Sequence, residues 1–485
     1  MYYPTLEQAK QIITNSDYNI IPVSKEIYGD GITPIKVMRI LKKYSEHCFM
    51  LESVDDTKRW SRYTFLGFEP ISKITCLNNV VTVDGLVYKT KEPEDYIRQI
   101  LKKFKSPKIP QLPSFTGGLV GYFAYDYFKY NEPSLNLIIE NDGFNDVNLM
   151  LFDQVICFDN YRQKVILIAN ANCNDLKIGY QNAIDKIERL EKLILNGKKA
   201  EIETLRLMSE FKALFTKEQY CNMVKKAKEF IKEGDIFQVV LANRLTAKAT
   251  GSLFDSYRVL RTTNPSPYMF YLSSQTQEII GASPETLIKM DGDNLYTYPL
   301  AGTRRRGRDE NEDRKLEKEL LADEKELAEH NMLVDLGRND LGKIAKFNSV
   351  KVEKYLEILK FSHVMHIGST VVAKVLDNID AIDVIGAMLP AGTLSGAPKI
   401  RACQIINELE NSRRGIYGGA IGYIDFTGNL DMCIAIRIAY KNGEDIHVCS
   451  GAGVVHDSIL DNEYQECLNK AKAVTDAIYE ADGGI

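Results

Sequence analysis

No stretch of this chain offers the roughly 20 consecutive apolar residues that a bilayer-spanning helix requires, and its first residues, MYYPTLEQAK, lack the basic-then-apolar order of a secretory leader. A cytoplasmic protein is expected. Charge of one sign is not in excess either: 61 Lys and Arg stand against 66 Asp and Glu, a net charge of -5. Without a broad positive field to gather a phosphate backbone, nucleic acid is not an expected partner. There is no CxxC pair. The nine cysteines (Cys48, Cys76, Cys157, Cys173, Cys221, Cys403, Cys433, Cys449 and Cys467) are scattered singly and odd in number. That pattern argues against a disulfide framework or a zinc knuckle and points to reduced thiols. Internal repeats and low-complexity blocks are also missing.

What remains is the balance of an ordinary globular protein, with 45% apolar and 26% charged residues over 485 positions, enough for two subdomains or one elaborate domain. The stretch AIDKIERLEKLILNGKKAEIETLRLM reads as a helix, a break at Gly197 and a connecting segment. This places a boundary near residues 196 to 210, dividing the chain into 1–200 and 201–485. Before it, runs such as SKITCLNNVVTVDGLVYKT read as hairpins joined by Asn, Asp and Gly turns. After it, strands such as DIFQVVLANRLTA, SPYMFYLSS, DMCIAIRIAYKNG and DIHVCSGAGVV mix with the helical segments ENEDRKLEKELLADEKELAEHNMLVDLG and NEYQECLNKAKAVTDAIYEA. Adjacent hairpins without a regular strand-helix rhythm predict an α+β fold.

Glu326 and Glu329 are three apart in the first of those helical segments, and Glu463 and Glu466 in the second, so each pair shares a helical face. Four carboxylates from two helices can hold a hard cation such as Mg2+, which prefers oxygen donors; equally, they can be solvated faces laced with Lys315, Lys318, Lys325 and Lys470. GTLSGAPK (392–399) has the glycines of a backbone cradle but not the GxxxxGK[ST] spacing of an ATP site. The basic run at Thr303–Arg308 is followed at once by Asp309, Glu310, Glu312 and Asp313, as in a charged loop with internal pairing. His330, His363 and His366 lack HExxH spacing. Taken alone, these residues support an α+β protein with a plausible acidic metal site, and no particular reaction.

In order along the chain, GDIFQVVLANR (234–244), NPSPYMFYL (264–272), GASPETL (281–287), YPLAGTRRRG (298–307), LLADEKELAEHNMLVDLGRNDLG (320–342), VMHIGS (364–369), LPAGTLSGAPK (389–399), YGGAIGY (417–423) and GAGVVHDSILDNEYQECLNKA (451–471) resemble the chorismate-binding enzymes. That family includes anthranilate, aminodeoxychorismate, isochorismate and salicylate synthases. The first half matches more loosely, through MLES (50–53), RYTFLG (62–67) and GGLVGYFAYD (117–126). The resemblance implies an α/β sandwich: two large, mostly antiparallel sheets with outer helices around a deep chorismate cleft.

It also implies roles. Glu329 and Glu466 would ligate Mg2+, with Glu326 and Glu463 supporting through water or directly. Arg437 and Tyr417 would hold the pyruvyl carboxylate. Gln238, Ala301, Gly302, Thr303, Gly451, Ala452, Gly453 and Lys470 would line the cleft. Glu285 would protonate the departing hydroxyl, which predicts a desolvated carboxyl with a raised pKa. His366 would assist proton transfer in the lyase half, and Thr393 would line the ring pocket. Glu52, Ser53, Asn264, Pro265, Tyr268 and Met269 resemble a tryptophan feedback pocket.

Two positions separate the relatives. Water-using members carry lysine where this chain has Gln238, which cannot act as the base that water needs. Many aminodeoxychorismate synthases carry a nucleophilic lysine where this chain has Ala301. Both positions favour ammonia attack and an anthranilate product, with aminodeoxychorismate as the nearest alternative and a non-catalytic chorismate or tryptophan sensor as a further one. No glutaminase signature is present, so a separate glutamine amidotransferase subunit is the expected source of ammonia.

Overall fold

The computed structural model describes residues 1–53, 62–132, 135, 143–360 and 364–485. His363 lies outside the described residues. Two large sheets, antiparallel throughout among the described residues, form the frame. The first runs, neighbour by neighbour, through Tyr2–Tyr3, Ile20–Tyr28, Lys164–Asn172, Gln154–Asp159, Tyr63–Phe68, Cys48–Glu52, Tyr268–Ser273, Gln277–Ser283, Ile438–Asn442, Asp445–Val454, Gln238–Thr250 and Arg206–Leu207. The second runs through Leu300–Arg305, Val364–Lys374, Asn294–Thr297, Thr286–Asp291, Leu430–Ile434, Ala420–Asp425, Gly118–Phe123, Val147–Phe152, Ser72–Leu77, Val80–Val83 and Leu86–Lys89. This is the α+β sandwich expected. Each sheet draws strands from both sides of residue 200, which falls in the connection after the helix Leu176–Asn196.

Local chemistry explains several of these elements. Asn78 and Asn79, and then Asp84 and Gly85, take positive φ, the backbone that two-residue hairpin turns need to match strand twist. The helix Leu176–Asn196 starts on the Asp175 carboxylate, which accepts from the Ile178 N–H, and stops at Gly197 as the sequence predicts. Between the sheets lies one core, where Phe49, Phe65 and Ile166 meet Leu119, Phe123, Leu149 and Ile288. A second core fills the outer face of the first sheet beneath the helices Pro34–Tyr44, Leu176–Asn196, Phe254–Thr263 and Leu460–Ala481, through residues such as Leu41, Ile187, Leu260 and Val474.

Two readings of single elements need correction, and both bear on function. DMCIAIRIAYKNG is two strands. Leu430–Ile434 belongs to the second sheet and Ile438–Asn442 to the first, with Arg437 at the break in a left-handed conformation, φ 50°. The local pattern is β throughout, so only the divergence of the two sheets, a tertiary matter, reveals the break. Likewise ENEDRKLEKELLADEKELAEHNMLVDLG is two helices, Glu310–Leu321 and Glu324–Gly342. The second begins at Asp323, whose carboxylate accepts from the N–H groups of Lys325 and Glu326. Glu326 and Glu329 therefore sit in its first two turns.

Candidate active site

The chain crosses between sheets at two adjacent points. Ser283–Glu285 leads from the first sheet into the second, and Ala435–Arg437 leads back. Hydrogen bonds tie the crossings together: Ile434 N–H to the Glu285 carbonyl at 2.9 Å, Ala282 N–H to the Arg437 carbonyl at 3.1 Å, and the Ser283 hydroxyl to the Ile434 carbonyl at 2.7 Å. Diverging sheets leave a gap there, and the two crossings place a carboxyl and a guanidinium at its neck.

Glu285 borders a cavity of about 430 Å3, open mouth included, shared with Thr393, Leu333, Leu336, Asp340 and Met388. Part of its surface is therefore reachable by water. Its carboxyl nevertheless lies deep in the fold, where burial raises the pKa from 4.5 to about 7, against the pull of Thr393, Lys470 and Arg437. The Thr393 hydroxyl lies close enough to depress that pKa but short of full hydrogen-bond geometry, so Thr393 Oγ1 is buried without a partner among the described residues. A hydroxyl left in that state costs about 1–3 kcal/mol, a cost that a polar ligand beside Glu285 removes. Arg437 is itself held below the usual guanidinium range by burial, with Glu285 opposing. Burial thus disfavours the charged form of each of the two groups.

The long strands Gln238–Thr250 and Asp445–Val454, outside the lining of that cavity, pair with Val240 opposite Gly453 and Ala242 opposite Gly451. The glycines are small for a reason: a Cβ on Gly453 would stand 2.8 Å from Gln238 Nε2, and one on Gly451 3.1 Å from the Tyr417 hydroxyl and 2.7 Å from the Leu241 carbonyl. Gln238 and Tyr417 thus lean over the glycine strand, and Ala452 lies between them, buried.

The strand Leu300–Arg305 passes the start of the helix Glu324–Gly342. Gly302, at φ 67°, lets the Glu326 carboxylate approach: a Cβ there would lie 3.3 Å from Glu326 Oε2. His366 Nδ1 lies 2.8 Å from the Gly302 carbonyl and 3.1 Å from Thr303 Oγ1. Donating Nδ1–H to the carbonyl makes Nε2 the acceptor nitrogen, and burial lowers the imidazole's pKa, so the ring is neutral near pH 7. Ala301, beside Gly302, is 9% exposed.

Of the four glutamates, Glu329 on the helix Glu324–Gly342 is near enough to Glu466 on the helix Leu460–Ala481 for their charges to interact. Glu329 remains open to solvent along part of its surface, yet partial burial and the carboxylates of Glu326 and Glu466 raise its pKa, opposed by Lys470 and Lys325. Burial and Glu466 raise Glu463 similarly. Among the described residues no three His, Cys, Asp or Glu side chains are already gathered as a metal-ligating set. Glu466 is held by Lys470 at 2.7 Å and Glu326 by Arg304 at 3.2 Å. The donors are all carboxylate oxygens and repel one another, which is the chemistry that a hard divalent cation relieves.

The basic run is paired internally, Arg304 to Asp323 and Arg306 to Asp313 at 2.7 and 2.6 Å and Arg305 to Glu312. Away from the cleft, Glu52 is buried and saturated: the Tyr257 hydroxyl and Arg261 Nε donate to it at 2.5 and 2.6 Å. Met269 pairs directly with it across the strands. Ser53 Oγ and Asn264 Nδ2 nearby in the chain are buried without partners among the described residues, and Pro265 is exposed. Tyr268, one residue before Met269, faces the opposite side of the strand. Its hydroxyl reaches Asp431 and Thr286 of the second sheet at 2.8 and 2.9 Å. Two features escape the sequence reading: Asp340 in the Glu285 cavity, and a buried Glu410–Arg414 pair beneath it.

A model of the chorismate binding enzyme family matches residues 46–476. The chain belongs to that family. It is 44% identical to anthranilate synthase component 1 of Acetivibrio thermocellus over 99% of both chains, and 43% identical to that of Aquifex aeolicus over 99% of this chain and 98% of the relative. Among solved structures it resembles anthranilate synthase component I from Streptococcus pneumoniae, with a TM-score of 0.77 and 36% identity over 93% of this chain and 98% of the other. No described helix is long and apolar enough to cross a membrane.

Proposed function

We propose that this chain converts chorismate and ammonia to anthranilate and pyruvate, taking its ammonia from a separate glutaminase subunit. The observation that carries the reading is Glu285, a carboxyl whose burial brings its pKa to about 7, so that it can be protonated when needed and ionised afterwards. It stands at the neck of the cleft with Arg437, whose fork suits the pyruvyl carboxylate. Ammonia adds to the ring carbon beside the carboxylate-bearing one and loses a proton. The hydroxyl leaves as water with the proton from Glu285. A ring proton then departs and the enolpyruvyl ether cleaves, its methylene taking up a proton, so that pyruvate is released and the ring becomes aromatic. His366, neutral and oriented by the Gly302 carbonyl, is the group suited to assist that second transfer.

Glu329 and Glu466, with Glu326 and Glu463 behind them, would hold Mg2+, which would supply Lewis-acid neutralisation of the ring carboxylate. Gln238 and Ala301 offer neither a base for water nor a nucleophilic amine, which supports free ammonia as the attacking group. All nine cysteines are free, in keeping with a reducing cytoplasm. Ser53 Oγ, next to Glu52 in the chain, and Asn264 Nδ2, both without partners among the described residues, support a tryptophan site for feedback inhibition, in which the indole and amino acid would meet Met269, Pro265 and backbone carbonyls. In this arrangement Tyr268 links the pocket to Thr286, the neighbour of Glu285.

The test is product identity from chorismate, Mg2+ and ammonium. An ortho-aminobenzoate product with stoichiometric pyruvate is expected. Accumulation of an aminodeoxychorismate, convertible to the para isomer, would overturn the reading, as would turnover with water alone.

A further inference from the structure

We propose that Arg414 is a positioning residue for this reaction, fixing the loop that carries Thr393 to the strand that carries Gln238. Both Arg414 and Glu410 are buried, with side chains 3% exposed, and neither touches the cavity. The guanidinium spends its donors on three chain segments. Nη1 donates to the Leu394 carbonyl at 2.6 Å, Nη2 to the Val240 carbonyl at 2.7 Å, and Nε to Glu410 Oε2 at 2.9 Å. Glu410 Oε1 in turn accepts from the Ala242 N–H at 2.8 Å. Above the guanidinium, 4.7 Å away, lies the Tyr125 ring.

The positions of those acceptors make the case. Leu394 follows Thr393, the residue against Glu285. Val240 and Ala242 lie two and four residues past Gln238, opposite Gly453 and Gly451. Tyr417 lies three residues past Arg414 on the same segment. Backbone pairing also joins loop and strand further along, through Val240 N–H to the Ser395 carbonyl at 2.9 Å, Phe237 N–H to the Ala397 carbonyl at 2.7 Å and the short ladder of Gly396–Ala397 with Gln238–Val239. The guanidinium adds to it a rigid fork that ties the Leu394 end of the loop and the Val240 end of the strand to the segment leading to Tyr417, and lysine, a point donor, cannot span both carbonyls. Its neighbour Arg413 is a built-in control. That residue is equally buried and bound, to Asp146 at 2.7 Å, the Phe144 carbonyl at 2.8 Å and Asp126 at 3.3 Å, the last of which also accepts from Gly415 N–H, but none of these acceptors lies on the Thr393 loop or the Gln238 strand.

The inference rests on Glu285 being the acid proposed above, and the test separates the two. R414K and R413K are prepared in the full-length chain and assayed with chorismate, Mg2+ and ammonium alongside melting temperature. R414K is expected to lose about 100-fold in kcat, the scale of a misplacement near 1 Å, with KM for chorismate within about threefold. The alkaline limb of its kcat profile should move to higher pH as Thr393 recedes from Glu285; Arg437 and Lys470 also face Glu285, Asp340 lines its cavity, and none of them is altered. R413K is expected to lower the melting temperature comparably while keeping kcat within about threefold. If kcat merely follows melting temperature across both variants, or R414K retains the parent kcat and pH profile, the proposal is overturned. Should R414K not fold, E410D draws the guanidinium back by one methylene, and a shifted alkaline limb with a smaller, about tenfold loss of kcat is expected; an unmoved limb overturns it. E285Q with undiminished kcat would instead remove the acid assignment, whatever Arg414 does.

Discussion

Glu52, at the end of the strand Cys48–Glu52, and Glu285, two residues past the strand Gln277–Ser283, are two interior carboxyls with opposite surroundings. Glu52 is met by a guanidinium and a phenol, so its charge is matched and its position fixed. Glu285 has only a poorly aligned hydroxyl, with Arg437 and Lys470 felt at a distance, so its charged form is left uncompensated and its pKa rises to about 7. A buried acid that is paired contributes structure, whereas a buried acid left unpaired costs stability and keeps its proton available for chemistry. The contrast can be broken by treating both residues identically.

The largest effect is expected from E285Q, which preserves shape and removes the proton. Loss of a general acid should lower kcat for anthranilate formation by about 100- to 10,000-fold while chorismate still binds. In the parent chain, kcat should fall as pH rises through about 7, the value to which burial brings this carboxyl, because the ionised form cannot protonate the leaving hydroxyl. Substantial activity in E285Q, or an alkaline limb that persists in it, removes Glu285 from the chemistry.

Stability should move in the reverse direction. A carboxyl raised from 4.5 to about 7 on folding binds its proton more tightly in the native state. Its contribution is therefore fully present below pH 4.5 and is lost as pH rises through about 7. The total is on the order of 3 kcal/mol. E285Q has no such titration, so its stability relative to the parent should climb across that window in denaturant melts. E52Q, which breaks the pair with Arg261, should instead lose about 2 kcal/mol, less than for a fully buried pair because Arg261 keeps some solvent. Equal responses of the two variants would erase the distinction drawn between them.

How much of this was readable beforehand follows the same division between local and distant causes. Glu285 is legible only through the resemblance of GASPETL to the family's motif, whereas the paired glutamates stand out by helical spacing. The helix break before Glu324 leaves only a weak local sign, the capping Asp323. The strand break at Arg437 leaves none, because apolar and β-branched residues continue through it and what separates Ile434 from Ile438 is the parting of two sheets. Arg413 and Arg414 look like ordinary surface charges after a helix. Their partners, the carbonyls of Phe144, Val240 and Leu394, lie far away in the chain and carry no side-chain signature at all. The order of the sheets, with strands from both ends of the chain interleaved, was likewise beyond any local pattern.

At the glutamate cluster the comparison becomes one of degree, since Glu466 is half exposed and shared with Lys470. E466Q should raise the Mg2+ concentration needed for half-maximal rate by about 100-fold, and calorimetric titration with Mg2+ alone should show the same weakening. An unchanged titration would mean that the cation is held elsewhere.

The smallest effect is expected where Glu52 is not itself altered. Its saturation by Arg261 and Tyr257 leaves it little capacity for a ligand, whereas Ser53 Oγ and Asn264 Nδ2 are buried and have no partner among the described residues. If tryptophan binds here, these orphaned atoms should provide its polar contacts, and the apolar body of the indole should rest near Met269. N264A then removes one hydrogen-bond donor, worth about 1 to 1.5 kcal/mol. The tryptophan concentration for half inhibition should rise roughly tenfold, read against the rate without tryptophan in the same variant. A variant inhibited as tightly as the parent would show that the slot beside Glu52 is a packing defect, and that the paired carboxyl is structural in every respect.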